Sequence, residues 1–584
     1  MFGSGEMQAD RRRSAIAAVV LVATLIAVPP RFAALHDAGP FVWDDGIHLL
    51  EGRWLETGAA ALAKSAERWR TERATGEDVW RLDPELQFLA NETQGMPLYF
   101  PRPGFAAAVG LALHYTHGAD WSGALVSAIA GVLTVALVAW IGARLWGARS
   151  GALAGVALAL SGWHVAYSRM AFAESLSVLF ATAAIGVLVA AGEGKPRPYG
   201  SAPGSASAHE GNAPRPPGTR RLVAVGALWG VACLCQDRLL PIALVPLVLA
   251  YVRAAPSRGR RVRTLLGVGL ALGLPIALFQ ALAELPYYGA MLALAHFGRT
   301  LPFPTHVERI LRHYAQGAAI SGVRPENLPT YPFLYARLLG PGLAIALAAG
   351  VVAAVRRRDV HLRALLIWLI LPIAPASLTA AGARYAAVTL PAAALLGGFA
   401  LDPARWPARL RERLGSSGAW ALSALLIASS VPFAVAPVRW TSGHREAMGV
   451  ATDMGVRCVV STDPFVDAVY LDYDVARVRQ PPRSSADLAD AWAHGCGIYA
   501  VDAIGAVLRT KDRGLDEVLA SFESADTQPV RLPNPGAESI LFPFEYNFSF
   551  TTTLRYLAGP ERERAGTIRL YPLSALARPD GAAP

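Results

Sequence analysis

The chain has 584 residues, 53% hydrophobic and 17% charged, a balance that excludes a protein built only of ordinary soluble domains. A net charge of +10 suits nucleic acid, but the arginines bunch in short segments between apolar runs, so membrane topology explains them and nucleic-acid binding is set aside. Four cysteines, two of them in an apolar run, form neither a dense disulfide scaffold nor a paired metal-binding motif.

Arg11, Arg12 and Arg13 precede an apolar run from Ser14 to Val28, with no small-residue cleavage site before Pro29 and Pro30. The run is predicted to be a retained first span with the N-terminus in the cytoplasm. Further spans are predicted at 121–142, 150–167, 172–191, 222–236, 239–252, 264–282, 333–355, 364–382, 386–401 and 418–436, about eleven in all. The apolar stretch Gly104–Tyr115 is too short to cross a hydrocarbon core of roughly 30 Å and is placed as an interfacial helix on the outer surface. With that parity, Arg144 with Arg149, Lys195–Arg221, Arg253–Arg263, Arg356–Arg363 and Arg405–Arg413 all fall on the cytoplasmic side. Asp237 and Arg238 then form the outer tip of a helical hairpin.

The expected organisation is a transmembrane domain over 1–436, with outer loops at about 31–120 and 283–332. The Gly-, Pro-, Ser- and Ala-rich stretch 193–220 reads as a disordered cytoplasmic linker. Beyond 437 the character changes. VRCVVS at 456–461 and GIYAVDA at 497–503 read as strands, and Pro464–Leu471 and Ser484–His494 as helices, which predicts a small extracytoplasmic α/β domain over 437–584. Cys458 and Cys496 flank these strands and could pair in an oxidising compartment, but two buried thiols are the preferred reading.

The first outer loop opens with WDDGIHLLEGRWLETG at 43–58, which puts Asp44 and Asp45 close to the first span. A carboxylate there can act as general base toward an acceptor hydroxyl; alone, Asp before Gly more often marks a turn or cap. Three more features fall on the same predicted face. They are Tyr99, Phe100, Pro101, Arg102 and Pro103 at the loop's end, YSRMAFAES at 167–175, and ARYAAVTLP at 383–391. In the second outer loop, His296, His306 and His313 lie among Arg299, Arg309 and Arg312, but no HExxH-like pattern supports a metal, and surface histidines are the default reading.

Together these features resemble the GT-C superfamily of membrane glycosyltransferases, and within it the protein O-mannosyltransferases and bacterial aminoarabinose transferases. The resemblance covers roughly residues 10–440. It implies that the pair Asp44 and Asp45 supplies the catalytic carboxylate, with Asp44 as base and Asp45 standing where Glu is more usual. Arg102 stands where a Lys is common, exchanging a point charge for a planar fork. Arg169 and Glu174 match a motif whose acid is more commonly Asp. Arg384, Tyr385 and Pro391 match the late Arg-Tyr pair and its proline. The resemblance therefore assigns Asp44, Asp45 and Glu174 to catalysis, and Arg102, Arg169, Arg384 and Tyr385 to the donor phosphate.

The function expected from the resemblance is inverting transfer of a sugar from a polyprenyl-phosphate donor to a hydroxyl of a lipid, protein or glycan at the outer face of a bacterial inner or plasma membrane. The loop at 283–332 would cover the active site or contact the acceptor. No cofactor is required; a divalent metal is compatible, and Glu92 near Arg102 could serve a metal or an ion pair. The alternative is a transporter or lipid-linked sugar flippase. Transporters place ionisable groups in broken spans near the bilayer midplane, whereas these candidate charges lie at span ends and in outer loops. A third reading, a membrane-anchored binding protein, finds no glycine-rich phosphate loop, triad or metal spacing in the C-terminal part.

Overall fold

The structure is a computed structural model that describes residues 3–57, 70, 102–191, 219–236, 239, 266–267, 269–279, 281–282, 323–357, 359–379, 381–482, 484–502, 513–524, 527–538, 549–559 and 566–575. The expectations resting on Glu92, Tyr99, Phe100, Pro101, Asp237, Arg238, the three loop histidines and the linker at 193–218 lie outside these residues.

The helical part runs from α1 (Gly3–Phe32) through α2 (43–57), α3 (Pro103–Tyr115), α4 (Ser122–Trp146), α5 (Ala148–Ala159), α6 (Ala173–Ala191), α7 (Thr219–Cys235), α8 (Thr330–Leu338), α9 (Pro341–Arg356) and α10 (Val360–Ile370). A 3-10 segment, Ala383–Thr389, leads into α11 (Leu390–Leu401), and α12 (Ala408–Ala428) follows. Among the described residues, six stretches are long and apolar enough to cross a membrane, beginning at Asp10, Ser122, Ala173, Val360, Ala383 and Ala408. The protein is thus a polytopic membrane protein. The expected count of about eleven is not reached among the described residues, because α5 and α9 are shorter apolar helices and 240–252 lies outside them. Helix α3 is a separate short helix, as its 13 residues require.

Small residues let the central helices meet at backbone distance. A methyl on Gly155 of α5 would lie 2.7 Å from the Cβ atoms of both Ala139 of α4 and Ala23 of α1. Gly142 of α4 faces Gly151 of α5, and Gly398 of α11 sits against the backbone of Ala154. Helix α11 is buried on nearly every side, as expected of a helix apolar all round.

After the last long apolar stretch come α13 (His444–Asp453), β1 (Cys458–Ser461), α14 (Pro464–Tyr470), β2 (Val478–Arg479), α15 (Ser485–Ala493), β3 (Cys496–Val501), α16 (Arg513–Ser524), β4 (Val530–Pro533), α17 (Phe550–Ala558) and β5 (Thr567–Pro572). The five strands form one mixed sheet in the order β2-β1-β3-β5-β4. Strand β1 is parallel to β2 and β3, while β5 is antiparallel to β3 and β4. In this register Cys458 is the partner of Cys496, and the two are joined in a disulfide. This corrects the preference for free thiols: adjacent parallel strands set the pair side by side, a placement invisible in the sequence separation of 38.

An apolar cluster joins the two parts. Ile47, Leu49 and Leu50 of α2 pack with Phe105, Val109 and Leu113 of α3 and with Phe465, Ala468 and Val469 of α14. The contact is tight at Gly46, where a Cβ would lie 2.5 Å from the backbone of Phe465 and Val466. Only glycine fits between Asp45 and the start of α14.

Candidate active site

Helix α2 positions the acidic pair and separates its members. Asp45 is the third residue of the helix, and its Oδ2 reaches back to accept the backbone N–H groups of Phe41 (2.9 Å) and Val42 (3.4 Å). That is half of a capping box, which fixes the chain's entry into α2. Asp45 is wholly buried. Burial pushes its carboxyl up to about 7, against the N–H groups of Phe41, Val42 and Ala171, and the nearby charge of Glu174 adds to the rise. Its surroundings are those of a helix cap.

One residue earlier on the helix, Asp44 is 22% exposed and faces a different set of groups. Its Oδ2 makes an ion pair with Nη1 of Arg384 and lies 3.8 Å from Nη1 of Arg102. The arginines are 15% and 14% exposed, so three charged groups meet at a partly open position and not in the core. Arg102 precedes Pro103 at the start of α3; Arg384 lies in the 3-10 segment before α11, whose first turn contains Pro391. That segment is anchored from α8, where the Tyr331 hydroxyl donates to the Gly382 carbonyl (3.1 Å) and Tyr335 is hydrogen-bonded to Thr389. The Tyr385 ring lies 5.8 Å from the Arg384 guanidinium carbon, within cation–π range.

Two residues not singled out from the sequence complete this cluster. His48 Nε2 lies 2.9 Å from Arg102 Nη1, and its Nδ1 lies 3.2 Å from Glu51 Oε2. A guanidinium can only donate, so Nε2 accepts and the ring proton sits on Nδ1, donated to Glu51. Burial first, and then the Arg102 charge, hold His48 well below the usual histidine range, consistent with a neutral ring. Asp44, His48 and Glu51 are spaced four and three apart and so share one face of α2. The signal was present in WDDGIHLLEG, but nothing in the pattern separates it from ordinary amphipathic spacing.

Arg169 stands elsewhere, held by backbone carbonyls. All five of its N–H groups are given to backbone carbonyls: Nε to Pro437, Nη1 to Arg31 and Ala33, and Nη2 to Ala34 and Val438. None is left for a phosphate. The residue staples the end of α1 to the chain that follows α12. Arg31 does the same one layer deeper, donating to the carbonyls of Ala27, Leu158 and Ala159 and contacting His164 Nδ1 at 2.6 Å. Glu174, in the first turn of α6, is buried and accepts from Gln236 Nε2 at 2.7 Å. Its charge acts on the neighbouring Asp45.

Residues 101–201 match the sequence model of a family described as dolichyl-phosphate-mannose-protein mannosyltransferase. No curated protein matches the chain by sequence. Among solved structures, the archaeal oligosaccharyltransferase AglB of Archaeoglobus fulgidus, in complex with an inhibitory peptide and a dolichol-phosphate, is similar at 13% identity and a TM-score of 0.50, over 88% of this chain and 72% of that one. The chain therefore shares the fold of that oligosaccharyltransferase. ArnT of Cupriavidus metallidurans bound to undecaprenyl phosphate is similar at 17% identity and a TM-score of 0.48, over 83% of this chain and 92% of that one.

Proposed function

We propose that this chain is a GT-C inverting glycosyltransferase that moves a sugar from a polyprenyl-phosphate donor to an acceptor hydroxyl at the outer face of the membrane. The observation that carries the reading is the Asp44 carboxylate held between Arg102 and Arg384 at a partly open position. Two guanidiniums converging on one point suit the charge that develops on a departing phosphate. As the donor phosphate enters, it takes over the two cations and leaves Asp44 as the acceptor of a proton. The acceptor oxygen attacks the anomeric carbon as its proton passes to Asp44. The bond from sugar to phosphate breaks, and the phosphate departs with the electron pair between Arg102 and Arg384. The Glu51–His48 pair holds Arg102 in place for that step. The fold shared with an oligosaccharyltransferase solved with dolichol-phosphate supports a lipid-linked donor, and the arginine-rich inner segments support an outward-facing site.

The test is transfer of labelled sugar from synthetic polyprenyl-phosphate sugars by purified protein in liposomes. Asp44→Asn keeps the shape and removes the base, so transfer is expected to fall by roughly 10²–10⁴-fold, the usual contribution of a general base. Movement of donor between leaflets without transfer, indifferent to Asp44→Asn, would establish a flippase instead.

A further inference from the structure

The C-terminal part contains a second charged cluster that the proposed reaction does not use. His444 opens α13, Asp463 lies between β1 and α14, Asp467 sits on α14, and Asp502 directly follows β3. All four are buried, with side-chain exposures no higher than 3%. Strands β1 and β3 are parallel neighbours, with β2 on the far side of β1, so Asp463 and Asp502 stand at the carboxyl ends of the strands where the strand order reverses. That crevice is where open α/β sheets bind ligands.

The side chains are oriented toward a common centre. His444 Nδ1 lies 2.6 Å from Asp467 Oδ1, so Nδ1 donates to that carboxylate and Nε2 points away from Asp467. Nε2 completes no hydrogen bond among the described residues. It faces Asp502 Oδ2 at 3.7 Å, too far for a hydrogen bond but close to the separation of two atoms that share a metal at about 2.1 Å each. Asp502 is held in that pose by Thr462, whose hydroxyl donates to Oδ1 at 2.5 Å and whose oxygen accepts the Asp502 N–H at 3.0 Å. Asp463 is wholly buried at the N-cap of α14, where the Val466 N–H faces it, but neither of its oxygens reaches hydrogen-bond geometry among the described residues. One donor atom from each of His444, Asp463 and Asp502 falls within 4.8 Å of the others, the only such group among the described residues.

We propose that His444, Asp463 and Asp502 form a divalent-cation site, with Asp467 as the positioning residue that fixes the His444 ring. One imidazole nitrogen with carboxylate oxygens suits a cation of the Mn²⁺ or Zn²⁺ type. A carboxylate behind a ligating histidine is the usual outer-shell arrangement of such sites. The place gives it a consequence. Asp463 immediately precedes α14, whose first turn presses on Gly46, and Phe465 meets the Trp43 ring edge-on at 4.6 Å. Cation binding here would lock the sheet against the helix that presents Asp44.

The test uses full-length protein in detergent, stripped with chelator and titrated with Mn²⁺ while free Mn²⁺ is followed by electron paramagnetic resonance. One saturable site per chain, displaced by Zn²⁺ and lost in Asp463→Asn and in His444→Gln, is the expected result. Asp467→Asn should weaken binding by roughly 10–100-fold, as loss of outer-shell partners does. Mn²⁺ should also raise the thermal midpoint of stripped wild type and leave that of Asp463→Asn unchanged. Stripped wild type without a saturable site overturns the proposal whatever the variants do. So does an Asp463→Asn protein that still binds like wild type. None of these readouts depends on sugar transfer, so they stand apart from the reaction proposed above.

Discussion

Replacing Arg169 by Lys separates a staple from a phosphate ligand, because it keeps the charge and changes the number and geometry of donors. The guanidinium supplies five N–H groups to the carbonyls of Arg31, Ala33, Ala34, Pro437 and Val438. An ammonium supplies three, so two carbonyls in a buried setting lose their donors. At about 1–3 kcal/mol for each group left unsatisfied, Arg169→Lys should cost roughly 2–6 kcal/mol of stability, a large part of a total typically near 5–15 kcal/mol. Thermal unfolding in detergent reads the loss directly. Binding of a polyprenyl phosphate to the folded fraction reads the other half of the claim and should be unchanged. A Lys variant as stable as wild type but unable to bind the lipid phosphate would refute the staple and restore the role first expected from the sequence.

Loss of the Arg102 anchor in His48→Phe should lower turnover by up to about 10²-fold, the scale of a small misplacement of a reacting group, with partial recovery in His48→Gln, whose amide oxygen can still accept from Arg102; steady-state kinetics in liposomes show whether it does. For Asp45, the folded value near 7 exceeds the ordinary value near 4, so its stabilising contribution is complete below about pH 4 and is lost as pH rises to 7, up to about 4 kcal/mol in all. Unfolding curves across that window should flatten in Asp45→Asn, and a slope equal to that of wild type would show that the carboxyl titrates normally. The Cys458–Cys496 bond closes a loop with a sequence separation of 38, so Cys458→Ser with Cys496→Ser should cost about 4 kcal/mol, and reductant should destabilise wild type but not the double variant.

The polytopic membrane fold could be read from residues alone, because membrane spans announce themselves by length and apolar composition. The strands at β1 and β3 coincide with the predicted VRCVVS and GIYAVDA, whose apolar runs are bounded by turns. The limit lay in orientation. Asp44 and Asp45 are the same letter twice, and only the helix start at 43 turns one toward the arginines and the other back onto Val42. Arg169 and Arg384 both sit near apolar stretches with an aromatic close by; what separates them is whether loose carbonyls or a carboxylate surround them, and no spacing encodes that. The His444, Asp463, Asp467 and Asp502 cluster draws on four elements spread over nearly sixty residues, so no local pattern could have announced it.

The glycine seam gives the protein a long mutational reach. Gly398 sits with its backbone against Ala154, on a helix that continues directly from the segment bearing Arg384. Adding a single methyl there cannot be absorbed by a rotamer change, because the obstacle is main chain, so the whole helix must move. The displacement arrives at Arg384, which has to stay within reach of Asp44. An apolar substitution made four turns away in the bilayer would then be scored in an activity screen as an active-site defect, although it touches no charged group.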